Sequence, residues 1–225
     1  MRLFPLCESA LTIEFGSDVS PDLNARAIAI AKHFKDDPFP GLIEAVPAYA
    51  SVTLFYDPVR VRHAFPASKT AFEAVSEVAK TTAESISASE IGEPRLVEVP
   101  INISEEASSD LNTISEHAGV TSDEVIGIFL SRTYRVYMLG FLPGFAYMGD
   151  VDDRIAAPRL KTPRTRVPKG SVGIAGKQTG IYPLESPGGW NIIGRTDLEL
   201  FDPNAPDPCL LKPGDEVKFV LRSEI

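Results

Sequence analysis

The spacing of apolar residues changes several times along the chain, and each change marks an element. Ala10–Phe15 (ALTIEF) reads as a strand ending at Gly16. Ser20-Pro21 then starts a helix, with Ser as N-cap and Pro at the first helical position. Leu23, Ala27, Ile30, Ala31 and Phe34 follow at helical spacing and define one apolar face. Asp36-Asp37-Pro38 ends that helix, because the residue before Pro is pushed out of the α region. Leu42–Val46 and Ser51–Tyr56 read as strands around Pro47. A second helix is expected from about Pro66 to Ser85, with Phe72, Val75 and Val78 on its buried side. The order β-α-β-β-α predicts an α+β unit: a split, mainly antiparallel sheet with helices on one face.

The pattern shifts after residue 88. SEIGEP (89–94) has the composition of a linker. Arg95–Ile101 reads as a strand, and Asp110–His117 and Ser122–Ser131 as short helices. Thr121 and Glu124 fit a capping box for the second of these. From Tyr134 the chain becomes strand and turn: YRVYMLGF, SVGIAG, GIYPLE, WNIIGRT and VKFVLR. Short β runs broken by Gly and Pro predict a β-barrel or sandwich. Of the 16 glycines, 10 lie between residues 140 and 194. So many residues permitting tight turns and close backbone approach make this segment either a set of turns or a rigid ligand frame.

Composition narrows the classes. At 225 residues the chain can bury a sizeable core as one large domain or two small ones. No apolar run approaches the ~18–20 residues of a membrane helix, and the N-terminus does not read as a signal peptide. Cys7 and Cys209, far apart, argue against a disulfide framework and for a cytoplasmic setting. The net charge of -9 disfavours nucleic acid as a partner. Yet no acid occurs between Asp153 and Glu185, a window that holds Arg154, Arg159, Lys161, Arg164, Arg166, Lys169 and Lys177. Two readings stand open. The patch meets a small anionic ligand or acidic partner, or its charges offset acids brought from elsewhere by the fold.

Recognisable catalytic motifs are absent. His33, His63 and His117 show no metal-ligand spacing and read as structural. SVGIAGKQ (171–178) approaches a phosphate loop, but Ser171 and Gln178 replace its first Gly and its Ser/Thr, and no helix follows to aim N–H groups at phosphate. GFLPGFAYMGD (140–150) interleaves Gly with Phe141, Phe145 and Tyr147, as a pocket wall or as a turn packed on its own aromatics. SPGGWNIIGRT (186–196) adds Trp190, Arg195 and the pair Gly188-Gly189, which forms either an anion-binding nest or a plain turn. Arg164 and Arg195 could fork onto a carboxylate or phosphate.

The ordered run YRVYMLGFLPGFAYMG, followed by PRLKTPRTRVPKGSVGIAGKQTGIYPLESPGGWNIIGRT, resembles the signature of the family of 5-oxoprolinase B-type subunits. That family is also known as the KipI-type kinase inhibitors and as allophanate hydrolase subunit 1. ESALTIEFG and VPAYASVTLFYDP resemble its N-terminal domain. The resemblance implies a split α+β domain over residues 1–90 and a cyclophilin-like antiparallel β-barrel over 91–225. It implies a non-autonomous subunit of an ATP-dependent 5-oxoprolinase, which opens 5-oxo-L-proline to L-glutamate. The work is shared with two implied partners: an A-type protein of the LamB/YcsF kind and a C-type protein similar to this chain's barrel. ATP is then expected in the assembled complex, with no metal or biotin attachment in this chain. The alternatives are an inhibitor that binds a sensor histidine kinase, or an allophanate- or urea-related amide hydrolase component. The expected catalytic donors are Arg164, Gln178 and Arg195. The expected substrate contacts are Phe141, Pro143, Gly144, Phe145, Lys177, Tyr182, Gly188, Gly189 and Trp190. The chain departs from the family at INISEEASSDL (101–111), where a Gly-containing turn is usual, and at Lys177, where many members have Asn.

Overall fold

The computed structural model describes residues 1–86 and 93–222, in two compact units, Met1–Glu93 and Pro94–Ile225. Residues 89–92 of the expected linker, and the expected boundary between 90 and 91, lie outside the described residues.

The first unit contains β1 (Arg2–Cys7), β2 (Ala10–Glu14), α1 (Pro21–Asp36), β3 (Leu42–Pro47), β4 (Ser51–Tyr56), α2 (Pro58–Ala64) and α3 (Ala71–Ser85). The strands form one antiparallel sheet in the order β1-β2-β4-β3. Its core joins Leu11, Ile13, Val52 and Leu54 of the sheet to Ile30 and Phe34 of α1 and Val75 of α3. Two elements escape the sequence pattern. The strand β1 carries Pro5, which cannot donate a ladder bond, and its register shifts between Pro5 and Cys7, as an edge strand tolerates. The helix α2 is too short for periodicity. It is started instead by Asp57, whose carboxylate accepts from the Val59 and Arg60 N–H groups. The second long helix therefore begins at Ala71 rather than Pro66, capped by the Thr70 hydroxyl, which accepts from Glu73 N–H at 3.0 Å.

In the second unit β5 (Leu96–Ile101) leads to α4 (Leu111–Ala118) and α5 (Ser122–Ser131). The chain continues through β6 (Thr133–Leu139), β7 (Ala146–Gly149), β8 (Arg164–Val167), β9 (Ser171–Ala175), β10 (Gln178–Ile181), β11 (Ser186–Gly188), β12 (Asn191–Arg195) and β13 (Glu216–Leu221). Seven strands make one sheet in the order β12-β9-β10-β7-β6-β13-β5. The edges meet at a two-residue seam: Asn102 N–H donates to the Arg195 carbonyl at 2.7 Å, and Arg195 N–H returns to Asn102 at 2.9 Å. That exchange closes the sheet into the expected barrel. One pair is not antiparallel, since β13 runs parallel to β5. The barrel is packed solid. Val99, Val136, Met148, Val172, Ile193 and Val217 fill it, and Ile114 of α4 and Phe129 of α5 join them. Phe129, Tyr134 and Phe219 stack at 4.9–5.7 Å between centroids, and the Tyr134 hydroxyl donates to the Phe129 carbonyl. A ligand therefore has no room inside. Side chains alternate along β12, however, so Ile193 faces the core while Ile192 joins a second, smaller cluster with Phe145, Val167, Ala175, Tyr182 and Trp190. The two-stranded ribbon β8–β11 belongs to the segment that carries this cluster.

Candidate functional site

Three strand ends build that second cluster. Phe145 stands before β7, Tyr182 after β10 and Trp190 before β12; the pairing of β7 with β10 and of β9 with both β10 and β12 brings them together. Their rings meet edge to face: Phe145 lies 5.4 Å from Tyr182 and 5.5 Å from Trp190, and Tyr147 lies 4.9 Å from Phe145. Such contacts each contribute roughly 0.5–1.5 kcal/mol beyond burial and fix ring planes. Gly180 makes the arrangement possible, because a Cβ there would come within 2.9 Å of Phe145 and 3.0 Å of Trp190.

Above the rings lies a cavity of about 250 Å³. Phe141, at the tip of the β6–β7 loop, is 59% exposed at its mouth and has φ of +69°. Arg159 places its guanidinium 5.6 Å from the Trp190 ring centre. Leu160, Pro163, Pro187, Gly188 and Gly189 complete the rim. Tyr147 and Tyr182 are the titratable hydroxyls of the lining. Burial raises the Tyr182 hydroxyl above its ordinary pKa, against a hydrogen bond from the Trp190 backbone that lowers it. It is therefore protonated at neutral pH. Among the described residues, no carboxylate, imidazole, thiol or amine lines the cavity. It can sandwich a flat or puckered ring and pair with an anion, but it holds no general base of its own.

The acid-free window is resolved by the same geometry. Arg154 pairs with Asp152, Arg164 with Asp110, Arg166 with Glu185, Lys169 with Glu199 and Lys177 with Asp153. Most of the basic patch thus offsets acids from outside the window. Arg159 makes no ion pair among the described residues and is the guanidinium left beside the aromatic rings.

Phe141, Phe145, Tyr182, Gly188, Gly189 and Trp190 come together in the cavity as expected partners. The others lie elsewhere. Pro143 is exposed on the β6–β7 loop, and Gly144, at φ +80°, packs against Leu200 and Phe201. Lys177 sits at the tip of the β9–β10 hairpin, paired with Asp153 at 2.7 Å. Gln178 begins β10, opposite Gly149 and Ala175. Arg164 is bound to the buried Asp110 carboxylate, whose other oxygen accepts from Ile192 N–H at 2.7 Å. Arg195 lies at the barrel seam. Gly188 and Gly189 do not take the left-handed backbone that a nest requires. SVGIAGKQ is a hairpin, with Gly176 at φ +60° in its turn and no helix behind it. Arg159, Leu160, Pro163 and Pro187 are the cavity residues that motif spacing misses, whereas Tyr147 joins the aromatic wall that GFLPGFAYMGD suggests. Arg159 is legible in the sequence as one cation among seven, without the pairing that singles it out.

Fold and site together define a class: a two-unit α+β chain whose closed barrel carries an aromatic-lined cavity on its outer side, with no nucleophile–base pair among the described residues that line it. The chain belongs to the family described as carboxyltransferase domain, subdomain C and D, whose model matches residues 1–211. It is 43% identical over 221 residues to the 5-oxoprolinase B-type subunit of Bacillus subtilis (strain 168), covering 97% of this chain and 92% of that one. The corresponding Escherichia coli O157:H7 protein is 36% identical over 225 residues, covering 99% and 97%. Among solved structures, TTHA0988 superposes with a TM-score of 0.81 at 36% identity. The match covers 96% of this chain and only 40% of TTHA0988. No described helix is long and apolar enough to cross a membrane, and no cluster of potential metal ligands occurs among the described residues.

Proposed function

We propose that the chain is a non-autonomous subunit of an ATP-dependent 5-oxoprolinase, and that its aromatic cavity receives 5-oxo-L-proline. The observation that carries this reading is the Arg159 guanidinium, without an ion pair among the described residues, beside the Phe145–Tyr182–Trp190 rings. The ligand has an apolar ring face and a single carboxylate. Rings take the face, and an arginine fork takes the carboxylate with two parallel hydrogen bonds. The 5-oxoprolinase relatives support the reaction assigned to the complex.

The lactam is resonance-stabilised, so water alone attacks it slowly. ATP activates it by phosphorylation of the lactam oxygen, with ADP leaving. One water then adds to the ring carbon and the C–N bond breaks, the ring nitrogen leaving as the amine of γ-glutamyl phosphate. A second water hydrolyses that acyl phosphate, releasing phosphate and L-glutamate. Arg159 and the rings hold and partly desolvate the substrate for these steps. The base that activates water, and the ATP site, come from partner proteins, since the cavity lining supplies neither.

The test is ATP-dependent turnover of 5-oxo-L-proline by the assembled complex. Arg159→Ala is expected to raise KM about tenfold or more, and Trp190→Ala to lower kcat/KM by a similar factor. Adding 5-oxo-L-proline should also perturb Trp190 fluorescence. Unchanged kinetics in both variants would remove the cavity from the reaction.

A further inference from the structure

The barrel seam carries a second depression that shares no lining residue with the aromatic cavity. Its volume is about 240 Å³, and a neighbouring hollow of about 90 Å³ shares Glu106, Ala107 and Arg195 with it. The size is below the ~300–1,000 Å³ typical of drug-sized sites and suits a metabolite of amino-acid dimensions.

Two opposite charges face this space unpaired. Arg195 ends β12, where its backbone is fixed by the bridge to Asn102. Its Nε donates to the Lys169 carbonyl at 3.1 Å, which orients the guanidinium and leaves both terminal nitrogens without a partner among the described residues. Glu106 lies in the turn after β5. That turn is pinned by Ser108 N–H donating to the Ser104 carbonyl at 2.9 Å and by Ala107 N–H donating to the Ser104 hydroxyl at 3.3 Å. The Glu106 carboxylate has no ion pair or hydrogen bond among the described residues. The other charges nearby are in ion pairs: Asp197 with Arg222 and Arg164 with Asp110, the Arg164 Nη1 being buried in the neighbouring hollow's wall without a hydrogen-bond partner among the described residues. Arg195 and Glu106 thus line one depression without meeting each other.

We propose that this depression binds a zwitterionic α-amino acid, its carboxylate on the Arg195 guanidinium and its ammonium on Glu106. A plain anion satisfies Arg195 but is repelled by Glu106, and a plain cation meets the converse. A zwitterion of the right polarity satisfies both, and the planar fork of Arg195 suits a carboxylate. The Ser104 hydroxyl and the Asn102 amide, which line the same space, add neutral hydrogen-bonding groups.

The test is calorimetric titration of the full chain with L-glutamate and L-alanine, and with N-acetyl-L-glutamate, which lacks the ammonium. Only the choice of L-glutamate as a probe rests on the proposed reaction. Saturable binding of at least one free amino acid is expected. R195Q and E106Q, both at exposed positions, should each weaken it about tenfold or more. N-acetyl-L-glutamate should bind about tenfold more weakly than L-glutamate, with no further loss in E106Q. Three results would overturn the proposal: no saturable binding of either amino acid, equal affinity for the acetylated form, or inorganic phosphate binding as tightly as the amino acid. A fourth is loss of binding in Arg159→Ala with R195Q unaffected, which would place the amino acid in the aromatic cavity instead.

Discussion

Single residues set the tolerance of the barrel around the site. Gly170 has φ of +81°, and a Cβ there would collide with the Thr196 carbonyl oxygen. Its N–H donates to the Tyr182 carbonyl at 2.7 Å and its carbonyl accepts from Thr196 N–H at 2.9 Å, so the backbone cannot shift freely. Gly170→Ala is expected to destabilise the chain by about 2–3 kcal/mol, read from guanidinium unfolding. Tyr137 gives a pH test. Burial first, and then the Asp150 carboxylate, push its hydroxyl from the ordinary 10.0 to about 12. The folded state keeps this proton after the unfolded chain has lost it. Stability is therefore fully present below pH 10 and falls as pH rises towards about 12. Tyr137→Phe should flatten part of that fall in unfolding free energies measured across the same range. The fall also has contributions from Tyr134 and Tyr182, which burial shifts in the same direction.

Elements whose start signals lie within a few residues follow the sequence closely. Thr121 N–H donates to the Glu124 carboxylate at 2.8 Å, and Glu124 N–H donates to the Thr121 hydroxyl at 3.3 Å, completing the expected capping box of α5. Thr121→Ala is expected to cost about 1 kcal/mol in denaturant unfolding, because α5 places Phe129 on the barrel core. Ser20-Pro21 starts α1 as read from the chain, although the Ser20 side chain makes no capping bond. Weaker local signals do not survive this scale. The short strands β7, β8 and β11 are three or four residues long and are defined by partners across the sheet rather than by their own pattern. The phosphate-loop resemblance fails here too, because Gly176 turns a hairpin instead of opening a helix.

At the scale of the whole molecule, each unit has its own core. Residues of the barrel core begin at Val99, and those of the first unit's core end at Ile86. A chain spanning Pro94–Ile225 is therefore expected to fold alone and give a dispersed amide NMR spectrum. It should also retain amino-acid binding at the seam, since Arg195 and Glu106 both lie within it. A collapsed spectrum would show that the barrel needs the first unit.

The acid-free, Gly/Pro-rich segment and its aromatics were legible in the sequence because turns, caps and alternation depend on neighbours a few positions apart. Phe141, Phe145, Tyr147 and Trp190 could be read on that basis as a pocket wall or as packed turns and core, while only the family resemblance implies Tyr182 there. Which cations remained available could not be read in this way. Arg164 finds Asp110 across 54 positions, Lys169 finds Glu199 across 30, and β13 finds β5 in parallel across most of the unit. Coulomb energy and hydrogen bonding depend on distance in space and on shielding from water, which only the closed barrel fixes. Tertiary structure therefore paired away most of the basic patch, left Arg159 at the rings, and moved Arg195 to a separate depression at the seam.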